Sequence, residues 1–127
     1  MDVRKIKPVS KDDLKFGRIF TDHMLSIDWT KEKGWEAPQI IPYGPVKMST
    51  AATALHYGIS VHEGISVVEN EKSGKIQAFR AHDHLQAFVD SSYHLDMPLF
   101  DTNELLECIK PLVQMDKQWL TYIHDPD

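Results

Sequence analysis

Two histidines separated by one aspartate are the residues of this sequence whose types and spacing most directly suggest chemistry. His82, Asp83 and His84 stand together where a helix is predicted to begin, and imidazoles are common ligands of divalent metal ions. Side chains at positions i and i+2 of a helix point about 200° apart, which is the wrong arrangement for two ligands of one ion. We therefore interpret the trio as solvated polar residues and predict no metal site.

A second polar group lies around a glycine and the start of a predicted strand. It contains His56, His62 and Glu63, but a zinc site there would need a further ligand for which the sequence offers no candidate. Ordinary polar positions are the simpler interpretation. Cys108 lies beside Ile109 on the apolar side of a predicted helix, which favours a small core residue over a reactive thiol.

Short strands and turns are predicted to position these residues in the first half of the chain. Residues 19–29 mix aromatic and β-branched side chains with polar ones, as a half-buried strand or hairpin does, and residues 31–34 carry a turn signal. The prolines among residues 40–48 permit only short edge segments, so this stretch is predicted to be irregular with one brief strand. Residues 49–58 are predicted to form a short helix that begins at hydroxyl caps and ends at Gly58.

The second half predicts a β-hairpin followed by helices. Residues 59–68 and 75–79 alternate in polarity around a glycine-containing loop. Apolar residues then recur at helical spacing over residues 83–95. Strands in hairpins with helices grouped later predict an α+β fold, in which an antiparallel sheet carries two or three helices packed on one face.

The last predicted helix begins at Asp101 or Thr102. Asp101 and Glu104, three residues apart, resemble a capping box. Pro111 lies inside this helix, where a proline removes one backbone hydrogen bond and costs ~3 kcal/mol or more. We therefore expect a kink or a break near Cys108.

Composition limits the size of the protein and the partners it can bind. A chain of 127 residues has room for one domain, and its net charge of −5 provides no cationic field for a nucleic acid or an anionic membrane. No apolar run approaches the roughly 18 residues of a membrane span. A single cysteine cannot form an internal disulfide and is typical of a reducing compartment. We expect a cytoplasmic protein, with a mature mitochondrial form left open.

Several motifs, in order along the chain, resemble those of one enzyme family. The residues that carry the resemblance are Phe16-Gly17-Arg18-Ile19-Phe20-Thr21-Asp22-His23-Met24-Leu25, Trp29, Gly34-Trp35, Ala54-Leu55-His56-Tyr57-Gly58, Glu63-Gly64, Phe79-Arg80, Met97-Pro98, Phe100-Asp101 and Glu104-Leu105-Leu106-Glu107-Cys108-Ile109. In order and approximate spacing they resemble the branched-chain-amino-acid aminotransferases. The resemblance implies the small domain of a homodimeric two-domain enzyme that uses pyridoxal phosphate, with its active site between the small and large domains.

The resemblance divides the chain into three segments. It implies a polar N-terminal arm over residues 1–15, an aminotransferase small domain over residues 16–120, and a C-terminal tail or truncation point over residues 121–127. The partner that it implies is an aminotransferase large domain or a second subunit. Neither nucleic acid nor membrane is expected as a partner.

The resemblance assigns substrate contacts to two aromatic residues. Phe16 and Tyr57 match positions whose rings line the apolar substrate pocket in the family. Flat apolar faces suit the side chains of leucine, isoleucine and valine, which offer area but no polar group. The aromatic residue that precedes Glu63 in the family is His62 here, and residues 66–69 replace a Lys-Ala-aromatic-basic run, so one wall of the pocket differs in character.

A further departure concerns the cofactor phosphate. In the family an Asn-Met-x-Arg-Met pattern supplies an arginine that holds the phosphate of pyridoxal phosphate, and the aligned residues 84–88 have Ala87 at the arginine position. Losing one charge-assisted hydrogen bond typically costs ~1.5 to 3 kcal/mol. We therefore expect weak cofactor binding and assign no cofactor-binding residue to this chain.

Independent catalysis is not expected from these residues. The family's Schiff-base lysine belongs to the large domain, whereas each lysine here lies in the small-domain match or in the arm, so no catalytic residue is assigned. Two hypotheses remain. The chain is the small domain of an enzyme that transfers an amino group from leucine, isoleucine or valine to 2-oxoglutarate, or it is a non-catalytic relative that serves as a binding or dimerisation module. Its oligomeric state stays open between a monomer and a weak dimer.

Overall fold

The computed structural model describes residues 14–123 as short strands and three helices. The strands are β1 (His23–Ser26), β2 (Trp29–Thr30), β3 (Gly34–Trp35), β4 (Gln39–Pro42), β5 (Val67–Asn70), β6 (Ile76–Ala78) and β7 (Thr121–Ile123). The helices are α1 (Thr53–Tyr57), α2 (Ala81–His94) and α3 (Thr102–Met115), and a 3-10 turn occupies Lys117–Trp119. This arrangement confirms the α+β class. Residues 1–13 of the predicted arm and residues 124–127 of the predicted tail lie outside the described residues.

The strands form three small sheets in the described part of the chain. β1 pairs antiparallel with β4, β2 pairs antiparallel with β3, and the third sheet has the order β6-β5-β7. β7 runs parallel to β5, because the chain crosses over through α2 and α3 before it returns to the sheet. The predicted antiparallel sheet is thus divided into smaller units, one of which contains a parallel pair.

The first half of the chain follows the prediction in its turns and brief strands. The predicted strand or hairpin at residues 19–29 becomes β1 and the start of β2. The turn at residues 31–34 is confirmed, and in it the backbone N–H of Lys33 donates to Thr30 Oγ1 at 3.2 Å. The one brief strand predicted for the stretch of residues 40–48 overlaps β4.

Helix α1 is shorter than predicted and is capped at its C-terminal end. It begins after Ala52, whose side chain makes no capping hydrogen bond. The predicted hydroxyl cap is therefore wrong; Ser49 Oγ instead accepts from the backbone N–H of Ala51 at 3.2 Å, within the preceding turn. Gly58 ends the helix in the left-handed conformation with φ 65°, which glycine adopts without strain.

The predicted β-hairpin forms with a first strand that is shorter than expected. β5 and β6 pair antiparallel, and the loop between them closes where the backbone N–H of Ser73 donates to Asn70 Oδ1 at 2.9 Å. Residues 59–66 are not part of a strand, so the strand prediction is wrong for them, although the Ser66 carbonyl still accepts from the backbone N–H of Phe79 at 2.9 Å. Val61 and Ile65 of that segment instead line cavities beside α2.

Helix α2 contributes the most buried apolar side chains of the described residues. It begins two residues before the predicted start at residue 83 and ends one residue before the predicted end at residue 95. Ala81 and Leu85 are 8% and 2% exposed, and their spacing of four places them on one face. Ser92 is also buried, and its hydroxyl donates to the Phe88 carbonyl at 2.8 Å.

Helix α3 begins as predicted and continues through its proline. Asp101 Oδ1 accepts from the backbone N–H groups of Asn103 at 2.8 Å and Glu104 at 2.9 Å, as an N-cap carboxylate does. The helix remains continuous past Pro111, so of the kink or break expected near Cys108, the break does not occur. Proline removes a single hydrogen bond, and α3 is supported by its contacts with β1 and α2.

A buried carboxylate joins the end of α3 to the start of β1. Asp116 is 4% exposed, and its Oδ2 accepts from the backbone N–H of His23 at 2.9 Å. Its Oδ1 lies 2.7 Å from His23 Nδ1. Trp119 Nε1 then donates to Asp22 Oδ2 at 3.1 Å. These bonds hold the turn after α3 against β1, and this turn leads directly into β7.

Candidate functional site

Phe16, the first residue that the resemblance assigns to the substrate, lies in a tight turn. The backbone N–H groups of Arg18 and Ile19 donate to the Lys15 carbonyl at 3.1 and 3.2 Å. Gly17 has φ 73°, a conformation that is open to glycine at no steric cost. The Phe16 side chain is fully exposed, so its whole apolar surface is available to a ligand or to another part of a protein.

Tyr57, the second such residue, is the last residue of α1 and is 78% exposed. Its ring lies 6.4 Å from the ring of His56, measured between centroids. His56 Nε2 in turn donates to the Thr50 carbonyl at 2.6 Å, which braces the short helix against the preceding turn. Among the described residues no ring contact joins Tyr57 to Phe16.

Ala87 lies on an exposed face of α2, between two carboxylates. Asp83 precedes it by four residues and Asp90 follows it by three, so all three share one face of the helix. Arg80 Nε donates to Asp83 Oδ2 at 2.7 Å, and Gln86 Nε2 donates to Asp90 Oδ1 at 2.9 Å. The arginine that is nearest in sequence is therefore already paired with a carboxylate.

This face of α2 does not fit a phosphate group. A doubly charged phosphate is held by cationic side chains or by backbone N–H groups. The carboxylates of Asp83 and Asp90 repel it, and His84, three residues before Ala87, is hydrogen-bonded to the Glu63 carboxylate. The side chains of α2 thus give no support to a cofactor phosphate at this position.

Glu63 is hydrogen-bonded to His84, which lies three residues before Ala87 on α2. His84 Nδ1–H donates to Glu63 Oε1 at 2.8 Å, and the backbone N–H of Gly64 donates to the same oxygen at 3.2 Å. The side chains of His84 and Glu63 are 33% and 26% exposed. The hydrogen bond from His84, then that from Gly64, with a smaller contribution from the charge of His62, lowers the pKa of Glu63 below its usual range.

The remaining polar candidates do not assemble into a metal centre. Within residues 14–123, no group of three or more histidine, cysteine, aspartate and glutamate side chains is arranged to hold a metal ion. His84 is engaged by Glu63, while His82 is exposed. Cys108 is half-buried and lines an apolar cavity of about 670 Å³ between the first strands and helices α2 and α3.

Curated proteins similar to this chain share one description. The cytosolic branched-chain-amino-acid aminotransferase of Mus musculus is 39% identical over 120 residues, which cover 94% of this chain and 31% of the relative. The probable branched-chain-amino-acid aminotransferase of Staphylococcus aureus strain N315 is 40% identical over 116 residues, covering 91% and 32% respectively. The chain is a relative of the branched-chain-amino-acid aminotransferases.

Branched-chain-amino-acid aminotransferase 2 of Bacillus subtilis strain 168 extends the comparison, at 39% identity over 117 residues, covering 92% of this chain and 32% of the relative. The chain therefore spans about a third of the length of the aminotransferases that it matches. No protein-family model matches it.

The aminotransferase relatives include proteins of two compartments. The Mus musculus relative is named cytosolic, and one from Bos taurus, 38% identical over 114 residues that cover 90% of this chain and 29% of the relative, is named mitochondrial. Among residues 14–123, the helices are too short or too polar to cross a membrane.

Sequence reasoning missed both histidine–carboxylate pairs of this aminotransferase relative. Glu63 and His84 are 21 residues apart, and His23 and Asp116 are 93 residues apart. Glu63 belongs to a motif that marks the resemblance, but no local pattern identifies the partner of a side chain at such separations. These pairs become visible only when the helices and strands are placed in space.

Proposed function

We propose that this chain is the small-domain part of a branched-chain-amino-acid aminotransferase, extending over residues 16–120. The observation that supports this most strongly is the 37–40% identity to such enzymes over 90–95% of the chain. The partner in this proposal is an aminotransferase large domain or a second subunit, and the compartment is the cytoplasm or the mitochondrial matrix.

The role proposed for Phe16 and Tyr57 is to form apolar walls for the substrate side chain. Both rings are exposed on short turn-braced elements, so a second domain can close over them and complete a pocket. Leucine, isoleucine and valine present only hydrocarbon to such rings, and burying that surface is worth about 25 cal/mol per Å². The rings thereby favour a branched aliphatic side chain over a polar one.

Pyridoxal phosphate is the cofactor that the proposed reaction requires, and when bound it supplies the electron sink of amino transfer. The face around Ala87 lacks the cation that its phosphate needs, so in this proposal the phosphate is bound weakly on this side of the assembled enzyme. No lysine of this chain matches the family's Schiff-base lysine. The chain alone is therefore proposed to be inactive.

A fusion protein tests this proposal. This chain replaces the corresponding third of the Bacillus subtilis relative, and amino transfer from leucine to 2-oxoglutarate is measured at saturating pyridoxal phosphate. We expect turnover in the fusion protein and none in the 127-residue chain alone. A folded fusion protein without leucine-dependent turnover would contradict the proposal.

The second candidate function is a non-catalytic binding or dimerisation module. It is favoured by one observation, the pairing of Arg80 with Asp83 beside Ala87 where the resemblance requires a free cation. This alternative predicts that the folded fusion protein binds no pyridoxal phosphate even at millimolar concentration. It also predicts that sedimentation of the chain alone shows a stable dimer.

A further inference from the structure

Residues 59–66, here called the strap, cross α2 without belonging to a sheet. Within the strap Val61 and Ile65 are half-buried, while the residues beside them are exposed. Val61 lines a cavity together with Phe88 of α2, and Ile65 lines a second cavity together with Ala81 of α2. The alternation that predicts a strand from the sequence therefore reflects the placement of Val61 and Ile65 beside a helix.

The neighbours of the strap follow α2 in antiparallel order. Val61 lines the same cavity as Phe88, Glu63 is hydrogen-bonded to His84, and Ile65 lines the same cavity as Ala81. An extended segment advances about 6.6 Å for every two residues. The matching steps on α2 are four residues, from 88 to 84, and three residues, from 84 to 81, which span about 6 and about 4.5 Å, so the strap and the helix advance together in the same order.

Of these three interactions, only the hydrogen bond between Glu63 and His84 depends on direction. Val61 and Ile65 are held by apolar packing, which tolerates sliding because it has no preferred angle. The hydrogen bond between His84 and Glu63 requires one pair of atoms at one distance. A shift of one residue would present Gly64 or His62 to His84 and would leave the Glu63 carboxylate without its donor.

We propose that Glu63 and His84 are a positioning pair that sets the register of the strap on α2 and thereby the location of Tyr57. Tyr57 ends the helix that leads into the strap through Gly58. Ala87 lies on α2 between the contacts at residues 84 and 88. The pair thus links Tyr57, the proposed wall of the substrate pocket, to helix α2, where Ala87 stands in place of the family's arginine. Its effect on substrate binding rests on the proposed function.

Nuclear magnetic resonance of the 127-residue chain tests the register directly. The measured quantities are nuclear Overhauser effects from the Val61 and Ile65 methyl groups to the side chains of α2. We expect Glu63→Ala and His84→Ala each to reduce these intensities at least twofold. Glu63→Gln, which keeps an acceptor oxygen, should preserve most of them, and the control His82→Ala, which removes a neighbouring exposed histidine, should leave them unchanged.

The contacts between β5 and β6 report separately whether each variant remains folded, since Val67 pairs with Ala78 away from the strap. If Glu63→Ala unfolds the chain, the strap contacts of Val61 and Ile65 are measured in the folded Glu63→Gln and His84→Gln variants instead. Wild-type strap contacts in folded Glu63→Ala and His84→Ala variants would overturn the proposal. Equal loss of those contacts in the His82→Ala control would overturn it too.

A second measurement concerns Tyr57 in the fusion protein. Glu63→Ala should raise KM for leucine about fivefold or more while kcat changes less than twofold, because substrate positioning is altered and no reacting group is removed. Glu63→Gln should restore KM. An unchanged KM, with the strap displaced in the resonance experiment, would overturn the link to Tyr57. Absence of any leucine turnover in the unsubstituted fusion protein would instead count against the proposed function, and the strap experiment would still decide the register.

Discussion

Replacing Asp116 by alanine should destabilise the fold by about 2 to 4 kcal/mol. The carboxylate is 4% exposed and serves two groups of one residue, the backbone N–H of His23 at 2.9 Å and its Nδ1 at 2.7 Å. A buried donor that loses its acceptor costs about 1 to 3 kcal/mol. The backbone N–H of His23 carries most of this cost in its part-buried bond, whereas the His23 side chain is 20% exposed and regains part of its bond from water.

Urea unfolding followed by tryptophan fluorescence measures this loss, because Trp119 lies in the turn that Asp116 holds. The control is Asp90→Ala, which removes an exposed carboxylate bonded to Gln86 and should change the free energy of unfolding by less than about 0.5 kcal/mol. Asp116→Asn keeps one acceptor and should fall between the two. A loss below about 1 kcal/mol for Asp116→Ala, or one equal to that of Asp90→Ala, would refute the view that this buried carboxylate joins α3 to β1.

Three further predictions concern ionisation, cofactor affinity and helix α3. The hydrogen bond from His84 lowers the pKa of Glu63. The stabilisation from this pair is therefore complete at pH values above the usual glutamate pKa and is lost as the pH falls through the lowered pKa. Methyl signals of the strap that shift at pH values around the usual glutamate pKa would contradict this. In the fusion protein, Ala87→Arg should lower the Kd for pyridoxal phosphate about tenfold, as titration by absorbance would show; equal affinities would mean that residues 84–88 are wrongly aligned or that another donor holds the phosphate. Pro111→Ala should raise the free energy of unfolding by about 1 to 3 kcal/mol, because it restores a hydrogen bond to the Glu107 carbonyl, and a destabilised variant in urea unfolding would argue that α3 depends on the proline.

Elements with strong local signals could be predicted from the sequence. The N-cap at Asp101, the glycine that ends α1 at Gly58 and the apolar period of α2 each depend on residues a few positions apart, so a short window contains their cause. The α+β class follows from the order of these elements. Helix α3 shows the limit of such rules, since Pro111 has a local cost that tertiary contacts offset.

Features that depend on distant residues could not be predicted. The alternation in residues 59–66 is the same whether its apolar side chains pack in a sheet or on a helix, and only the position of α2 distinguishes the two. The parallel pairing of β7 with β5 depends on the crossover through two helices. For the candidate site, the resemblance named Phe16, Tyr57 and Ala87, and their roles remain predictions, while the carboxylates around Ala87 became apparent from the shared face of α2.

The contribution of Tyr57 to leucine recognition tests the central claim most directly. In the fusion protein, Tyr57→Ala and Phe16→Ala should each lower kcat/KM for leucine about tenfold or more, since losing an apolar contact worth about 1.4 kcal/mol is a factor of ten. The control Tyr93→Ala removes an equally exposed tyrosine from α2 and should leave kcat/KM within twofold of the unsubstituted protein. If Tyr57→Ala and Phe16→Ala match the Tyr93→Ala control, these rings do not line the substrate pocket and the proposed role of this chain is contradicted.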